Sequence, residues 1–165
     1  MRFATCLVTA VEIRDRHAAD AKSLPYLVDM TAENFALREV SADKAYASAR
    51  NYDAIDRHGA TPFIAFKSNS VGSRGGLWEK MFLHFQLRRD DFLSNYHKRS
   101  NVESAFSMIK AKFRDHVRSK TPVAMVNEVL CKIICHNICV LIQETQELGI
   151  DATLIARKSD AASTR

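Results

Sequence analysis

Residues 36–66 leave this chain little freedom in what it can fold into. ALREVSA, residues 36–42, reads as a strand ending at Asp43, with Lys44 and Tyr46 directly after it. Residues 47–58 are alanine-rich and set Tyr52 and Ile55 on one side. They close on Gly59, a residue suited to the left-handed conformation just past a helix. TPFIAF, residues 61–66, is a short apolar strand. Strand, helix and strand at this spacing form a βαβ unit, because two parallel strands need a crossover between them and the helix supplies it. The loop that follows, KSNSVGSRGG (67–76), leaves the C-terminal end of a strand, where open α/β sheets place their sites.

Other segments extend this plan. FATCLVTAVEI (3–13) is rich in β-branched and apolar types and predicts a further strand. A polar loop containing Asp20 follows. Residues 23–30 predict a short helix with Pro25 in its first turn, where proline is tolerated. Residues 78–88, with Met81, Phe82 and Phe85, look helical, and Asp90 starts a short helix holding Phe92 and Leu93. Thr121-Pro122 is a strong helix start, an N-cap followed by proline at the first helical position. Nothing breaks that helix before Gly149, which gives a rod about 40 Å long. Its middle, LCKIICHNICVLI, is apolar nearly all round. A membrane span of about 20 apolar residues would resist Lys132, His136 and Asn137, so a buried helix is the expectation. Beyond Asp151 the chain turns small and polar and predicts a frayed tail, residues 151–165.

A chain of 165 residues with 47% hydrophobic residues has the size and composition of one domain with a proper core. The net charge of +5 is unevenly spread: residues 67–120 carry twelve Lys/Arg against five Asp/Glu, so the remainder is slightly acidic. A basic middle section points to a polyanionic partner, nucleic acid before membrane. Cys131, Cys135 and Cys139 stand at i, i+4 and i+8, along one helix face, where they cannot readily bond to one another. With no secretory signal after Arg2, the reducing cytoplasm is the natural compartment. Together with His136 these thiols are zinc-ligand types, but they have no matching pair elsewhere, and packing is the simpler reading.

Within the basic section, YHKRSNVESAFSMIK (96–110) concentrates the chemistry. Tyr96, Arg99, Glu103 and Lys110 have offsets of 0, 3, 7 and 14, which on one continuous helix fall within a sector of about 60°. An aromatic hydroxyl, a carboxylate and two cations would share that face, beside an apolar stripe of Val102, Phe106, Ile109 and Phe113 expected to enter a core. A carboxylate flanked by cations suits a hard divalent ion next to a phosphate backbone. The same residues support a plainer reading, in which Ser100 and Glu103 form a capping box that starts the helix.

These four residues match the Y-(2)-R-(3)-E-(6)-K signature, and the chain resembles the bacterial insertion-sequence DDE transposases. EVSADKAY (39–46) resembles the family segment carrying the second catalytic aspartate. YHKRSNVESAFSMIK resembles the one carrying the catalytic glutamate, and NEVLCKIICHNI (127–138) is similar to the helix that follows. The resemblance implies an RNase H-like catalytic domain over residues 1–150 and a pair of divalent ions, Mg2+ or Mn2+. It implies Asp43 and Glu103 as catalytic metal ligands, and Tyr96, Arg99 and Lys110 as contacts to DNA phosphates near the transposon end. The implied chemistry is two-metal phosphoryl transfer in DNA cleavage and strand transfer. Transposon ends and target DNA are the implied partners, with a homodimer compatible with the reading and no membrane involved.

One departure stands out. The family's first catalytic aspartate belongs on a strand ahead of residue 1, and none of Glu12, Asp15 or Asp20 occupies its position. The expectation is therefore an α/β chain with an incomplete RNase H-like fold, its first strand missing, followed by a long C-terminal helix and catalytically incompetent alone. The alternatives are a non-catalytic DNA-binding remnant and a helical interaction module built on residues 122–148. The plainer reading of Asp43 is a strand end, a common use of aspartate. Trp78, between Arg74 and Lys80, reads as core or as a platform for an unpaired base. Lys67, Arg74, Arg88 and Arg89 read as a DNA path or as solvated surface.

Overall fold

A computed structural model of the chain describes residues 6–14 and 22–149. They divide into two compact units, residues 9–103 and residues 1–8 with 104–165. The first carries α1 (Leu24–Ala32), β1 (Glu39–Ala42), α2 (Ala49–Asp56), β2 (Thr61–Ile64), α3 (Gly76–Leu87) and α4 (Arg89–Tyr96). Helix α5 (Ser100–Phe113) begins there and continues into the second, which also carries α6 (Pro122–Glu147).

The βαβ expectation holds. β1 and β2 pair in parallel, Glu39 opposite Thr61 through Ala42 opposite Ile64, and α2 is the crossover. Ser48 starts α2 from an extended conformation, its hydroxyl accepting the Asn51 amide proton at 3.3 Å. Gly59, at φ +68°, turns the chain back toward β2. The two strands are shorter than the apolar runs that predict them, because pairing stops where the partner strand stops. Among the described residues the sheet has these two strands, so the chain is a mixed α/β structure with a small parallel sheet.

The core of this unit is aromatic. Tyr52, Ile55, Ile64 and Phe92 are fully buried. Phe66 packs edge-on against Trp78 and Phe82 with ring centroids 4.9 and 5.1 Å apart. The Tyr52 hydroxyl donates to the Ile64 carbonyl at 2.7 Å, which satisfies the one polar atom that burial would otherwise strand. Burial pushes that phenol well above its ordinary pKa. Trp78 belongs to this core, its indole N–H donating to the Val71 carbonyl at 2.9 Å, so it is no exposed stacking platform.

Residues 6–13 form no strand, and the remainder of the predicted 3–13 strand lies outside the described residues. The physical reason is visible at Val8. Its N–H donates to Asn137 Oδ1 at 2.9 Å and its carbonyl accepts from Asn137 Nδ2 at 2.8 Å. One side-chain amide on α6 takes both backbone groups that a neighbouring strand would have taken. His136 Nε2 lies 2.8 Å from the Cys6 carbonyl, and since a carbonyl only accepts, that nitrogen carries the proton.

Helix α6 starts and stops as the sequence predicts. The Thr121 hydroxyl accepts from the Ala124 amide at 3.4 Å, Pro122 opens the helix, and Gly149 follows at φ +64°. Its burial does not match. Ile133, His136 and Val140 are buried, whereas Val123, Ile134, Ile138, Leu141 and Ile142 are exposed. Cys131 and Cys135 are exposed as well, so packing does not account for them. By length and composition alone α6 is apolar enough to cross a membrane. The predicted tail, 151–165, and the acids Asp15 and Asp20 lie outside the described residues.

Candidate active site

β1 builds one wall of the site by alternation. Successive side chains of a strand point to opposite faces, so residues 39, 41 and 43 share one side. Glu39 accepts an ion-paired hydrogen bond from Lys98 at 2.6 Å, and the Ser41 hydroxyl donates to the Asn95 carbonyl at 2.9 Å. Both partners lie at the corner where α4 ends and a 3-10 turn, His97–Arg99, leads into α5. Asp43 is the next residue on that side. It occupies the N-cap position of a 3-10 turn, Lys44–Tyr46, but its carboxylate makes no capping bond, and the backbone carbonyl accepts the Tyr46 amide proton instead.

The helical corner builds the other wall. Tyr96, Arg99 and Glu103 do not sit on one helix: Tyr96 closes α4, Arg99 closes the 3-10 turn, and Glu103 lies in the first turn of α5. The turn keeps right-handed helical angles from Tyr96 to Ser100, so the three still come together. The Arg99 guanidinium lies over the Tyr96 ring, 5.0 Å from its centroid, and Arg99 Nη1 reaches Glu103 Oε1 at 3.3 Å. Arg99 is held above its ordinary pKa, first by the adjacent Tyr96 hydroxyl group and then by Asp43 and Glu103, against an opposing desolvation effect. Two carboxylates from distant parts of the chain thus lie in the field of one arginine.

The surroundings of Glu103 differ from the predicted ones. Ser100 has helical backbone angles and donates its hydroxyl to the His97 carbonyl at 2.9 Å, so the chain enters α5 through the 3-10 turn instead of an extended N-cap. Of the predicted apolar stripe, Ile109 is buried and Phe113 half-buried, but Val102 and Phe106 are 58% and 55% exposed. Ala105 takes the inward place of Phe106, because the helix buries only a narrow strip. Asp43, Glu103 and Lys110 are exposed, and Tyr96 is buried.

Asp43 and Glu103 are hard oxygen donors of the kind Mg2+ takes. The donor type fits a divalent ion; the number does not complete a three-acid set, since no cluster of three or more His, Cys, Asp or Glu exists among the described residues. Glu39, Ser41, Asn95 and Lys98, which join strand to corner, were not singled out by sequence reasoning. For Glu39 and Ser41 the signal is the two-residue alternation backward from Asp43; Asn95 and Lys98 lie on the helical corner, outside that pattern.

The family model described as the transposase DDE domain matches residues 1–138, covering β1, Asp43, the helical corner and Glu103. No curated protein and no solved structure matches the chain. With most of its length matched by that model and both acids inside the match, the chain belongs to the transposase DDE domain family.

Proposed function

We propose that Asp43 and Glu103 are two of the metal-binding acids of a catalytic domain with an RNase H-like plan, acting in DNA cleavage and strand transfer. Membership in the family carries DNA transposition as the function, DNA as the substrate and a general use of divalent metal ions. What supports the finer reading is one observation above the others: the strand that ends at Asp43 is tied to the helical corner by Lys98–Glu39 at 2.6 Å and Ser41–Asn95 at 2.9 Å, that corner holds Arg99 against Glu103 at 3.3 Å, and both acids are exposed. Bound Mg2+ or Mn2+ would supply Lewis-acid activation of water or a DNA 3′-hydroxyl and charge neutralisation at the leaving oxygen. Arg99, braced by Tyr96, would hold a phosphate against the acids, and Lys110 would contact the backbone of the transposon end.

The chain by itself is proposed to bind metal and DNA without robust cleavage, as implied by the resemblance, which assigns no residue here to the family's first catalytic aspartate. The same reading is compatible with a homodimer and expects a cytoplasmic protein. Mn2+ titration by calorimetry tests it directly. Asp43→Asn and Glu103→Gln should each abolish binding while leaving the circular dichroism spectrum intact, and wild-type binding in both variants would end the assignment. Robust plasmid nicking that Asp43→Ala removes would overturn the view that the chain is incompetent alone. A non-catalytic DNA binder would show affinity indifferent to Mg2+ and altered by Glu103→Ala only through charge.

A further inference from the structure

A cavity of about 350 Å3 opens beside the C-terminal end of α5, lined by Lys112, Arg114, His116 and Arg118 together with Glu128 and Lys132 of α6. All of these residues belong to the unit of residues 104–165. Lys and Arg occur here at 110, 112, 114, 118 and 120, with His116 filling the remaining even position. Residues 117–120 have no regular structure, and Lys112, Arg114, His116, Arg118 and Lys120 are all exposed.

The one lining carboxylate is already occupied. Glu128 accepts from the backbone amides of Arg118, at 3.0 and 3.1 Å, and Ser119, at 2.9 Å, and from the Ser119 hydroxyl at 2.8 Å. These donors, led by the Ser119 amide, hold its pKa at about 2. Lys132 pairs with Glu128 at 3.2 Å and donates to the His116 carbonyl at 2.7 Å. Glu128 and Lys132 therefore cancel in charge while fastening both ends of the loop to α6. Asp115 pairs with His116 at 3.3 Å. Among the described residues Lys112, Arg114 and Arg118 make no ion pair. Arg114 holds φ +70°, a conformation that favours glycine or asparagine, and an arginine stands there nonetheless.

We infer that this cavity is a second DNA-binding site, one that grips duplex backbone phosphates independently of base sequence and of metal, with Glu128 as the positioning residue of its loop. Three cations without an ion pair, Lys112 in the last turn of α5 and Arg114 and Arg118 in the segment fastened to α6, match a polyanion. Phe113, the one phenyl ring in the lining, is half-buried, so the surface offers charge and not a stacking platform for unpaired bases. The choice of DNA as the polyanion rests on the transposition reading above; the acid pair itself plays no part.

The test is fluorescence anisotropy with a duplex of arbitrary sequence in EDTA, titrated with KCl. Each phosphate contact removed should flatten the plot of log affinity against log salt by about 0.9. The triple variant Lys112→Gln, Arg114→Asn, Arg118→Gln should therefore lose roughly 2–3 in slope. The charge-retaining pair Lys112→Arg, Arg118→Lys should keep the wild-type slope. An unchanged slope in the triple variant overturns the inference, as does tighter binding of duplex RNA of equal length. Glu128→Gln removes a negative charge, which by charge alone would tighten DNA binding; a positioning role predicts weaker binding, and tightening would refute it. Failure of the acid-pair reading shows in Mn2+ binding, and failure of this one in the slope.

Discussion

Asn137→Ala isolates the contact that most sets this chain apart from its expected strand plan. Wild-type Asn137 makes two hydrogen bonds to Val8, at 2.9 and 2.8 Å, across a sequence separation of 129 residues. Each such bond contributes a net 0.5–1.5 kcal/mol, and Val8 is half-buried, so water only partly replaces what is lost; the expected destabilisation is about 2 kcal/mol. For a chain of this length that corresponds to a fall in Tm of roughly 4–8 °C. Urea and thermal melts followed by circular dichroism give the stability change, and amide hydrogen exchange gives its location, because the Val8 N–H should lose its protection selectively. Asn137→Asp makes the sign argument sharper. It keeps an acceptor for the Val8 N–H but sets a carboxylate oxygen against the Val8 carbonyl, so it should destabilise at least as much as alanine. If Asn137→Ala melts within about 0.5 kcal/mol of wild type and Val8 exchanges as before, the amide does not hold this segment.

Three further outcomes follow from the geometry. Ser41→Ala removes the 2.9 Å bond to the Asn95 carbonyl; it should cost about 1 kcal/mol by urea melt and weaken Mn2+ binding by loosening the strand from the corner. Glu128 has a folded-state pKa of about 2 against an ordinary 4.5, so its stabilisation is complete above pH 4.5 and is lost as pH falls toward 2; acid unfolding of Glu128→Gln should lack that component. Arg114→Gly should raise stability by about 0.5–1 kcal/mol through relief of the positive φ, while weakening duplex binding in the anisotropy assay.

The parts of this fold legible in the sequence are those written in local chemistry. Ser48, Gly59, Thr121-Pro122 and Gly149 mark helix ends by capping and by φ preference, and the short apolar runs around them fixed the βαβ unit with its parallel sense. Local pattern says nothing of what covers a face. Val102 and Phe106 have the right helical spacing for a core and meet solvent, and α6 is apolar nearly all round yet exposes most of its large side chains. The residues 6–13 had strand composition but an amide side chain as partner, a pairing that periodicity cannot encode. Tyr96, Arg99 and Glu103 were grouped from their spacing as if on one helix; the structure brings them together through a 3-10 turn instead. That the strand ending at Asp43 meets the same corner depends on Glu39 and Ser41, whose long-range contacts to Lys98 and Asn95 have no local signature.

The placement of Asp43 by the pleat of β1 has a consequence for how such a gene tolerates change. Inserting or deleting one residue between Glu39 and Asp43 would rotate the aspartate to the opposite face while leaving the strand as hydrophobic as before. A hydropathy profile would not notice the lesion, and the acid pair would be gone. Length changes in the 67–76 loop leave that parity untouched. Among diverging copies, the parity of the distance from Glu39 to Asp43 should then be guarded more strictly than the identity of Val40 or Ala42, whose side chains serve only to fill the other face.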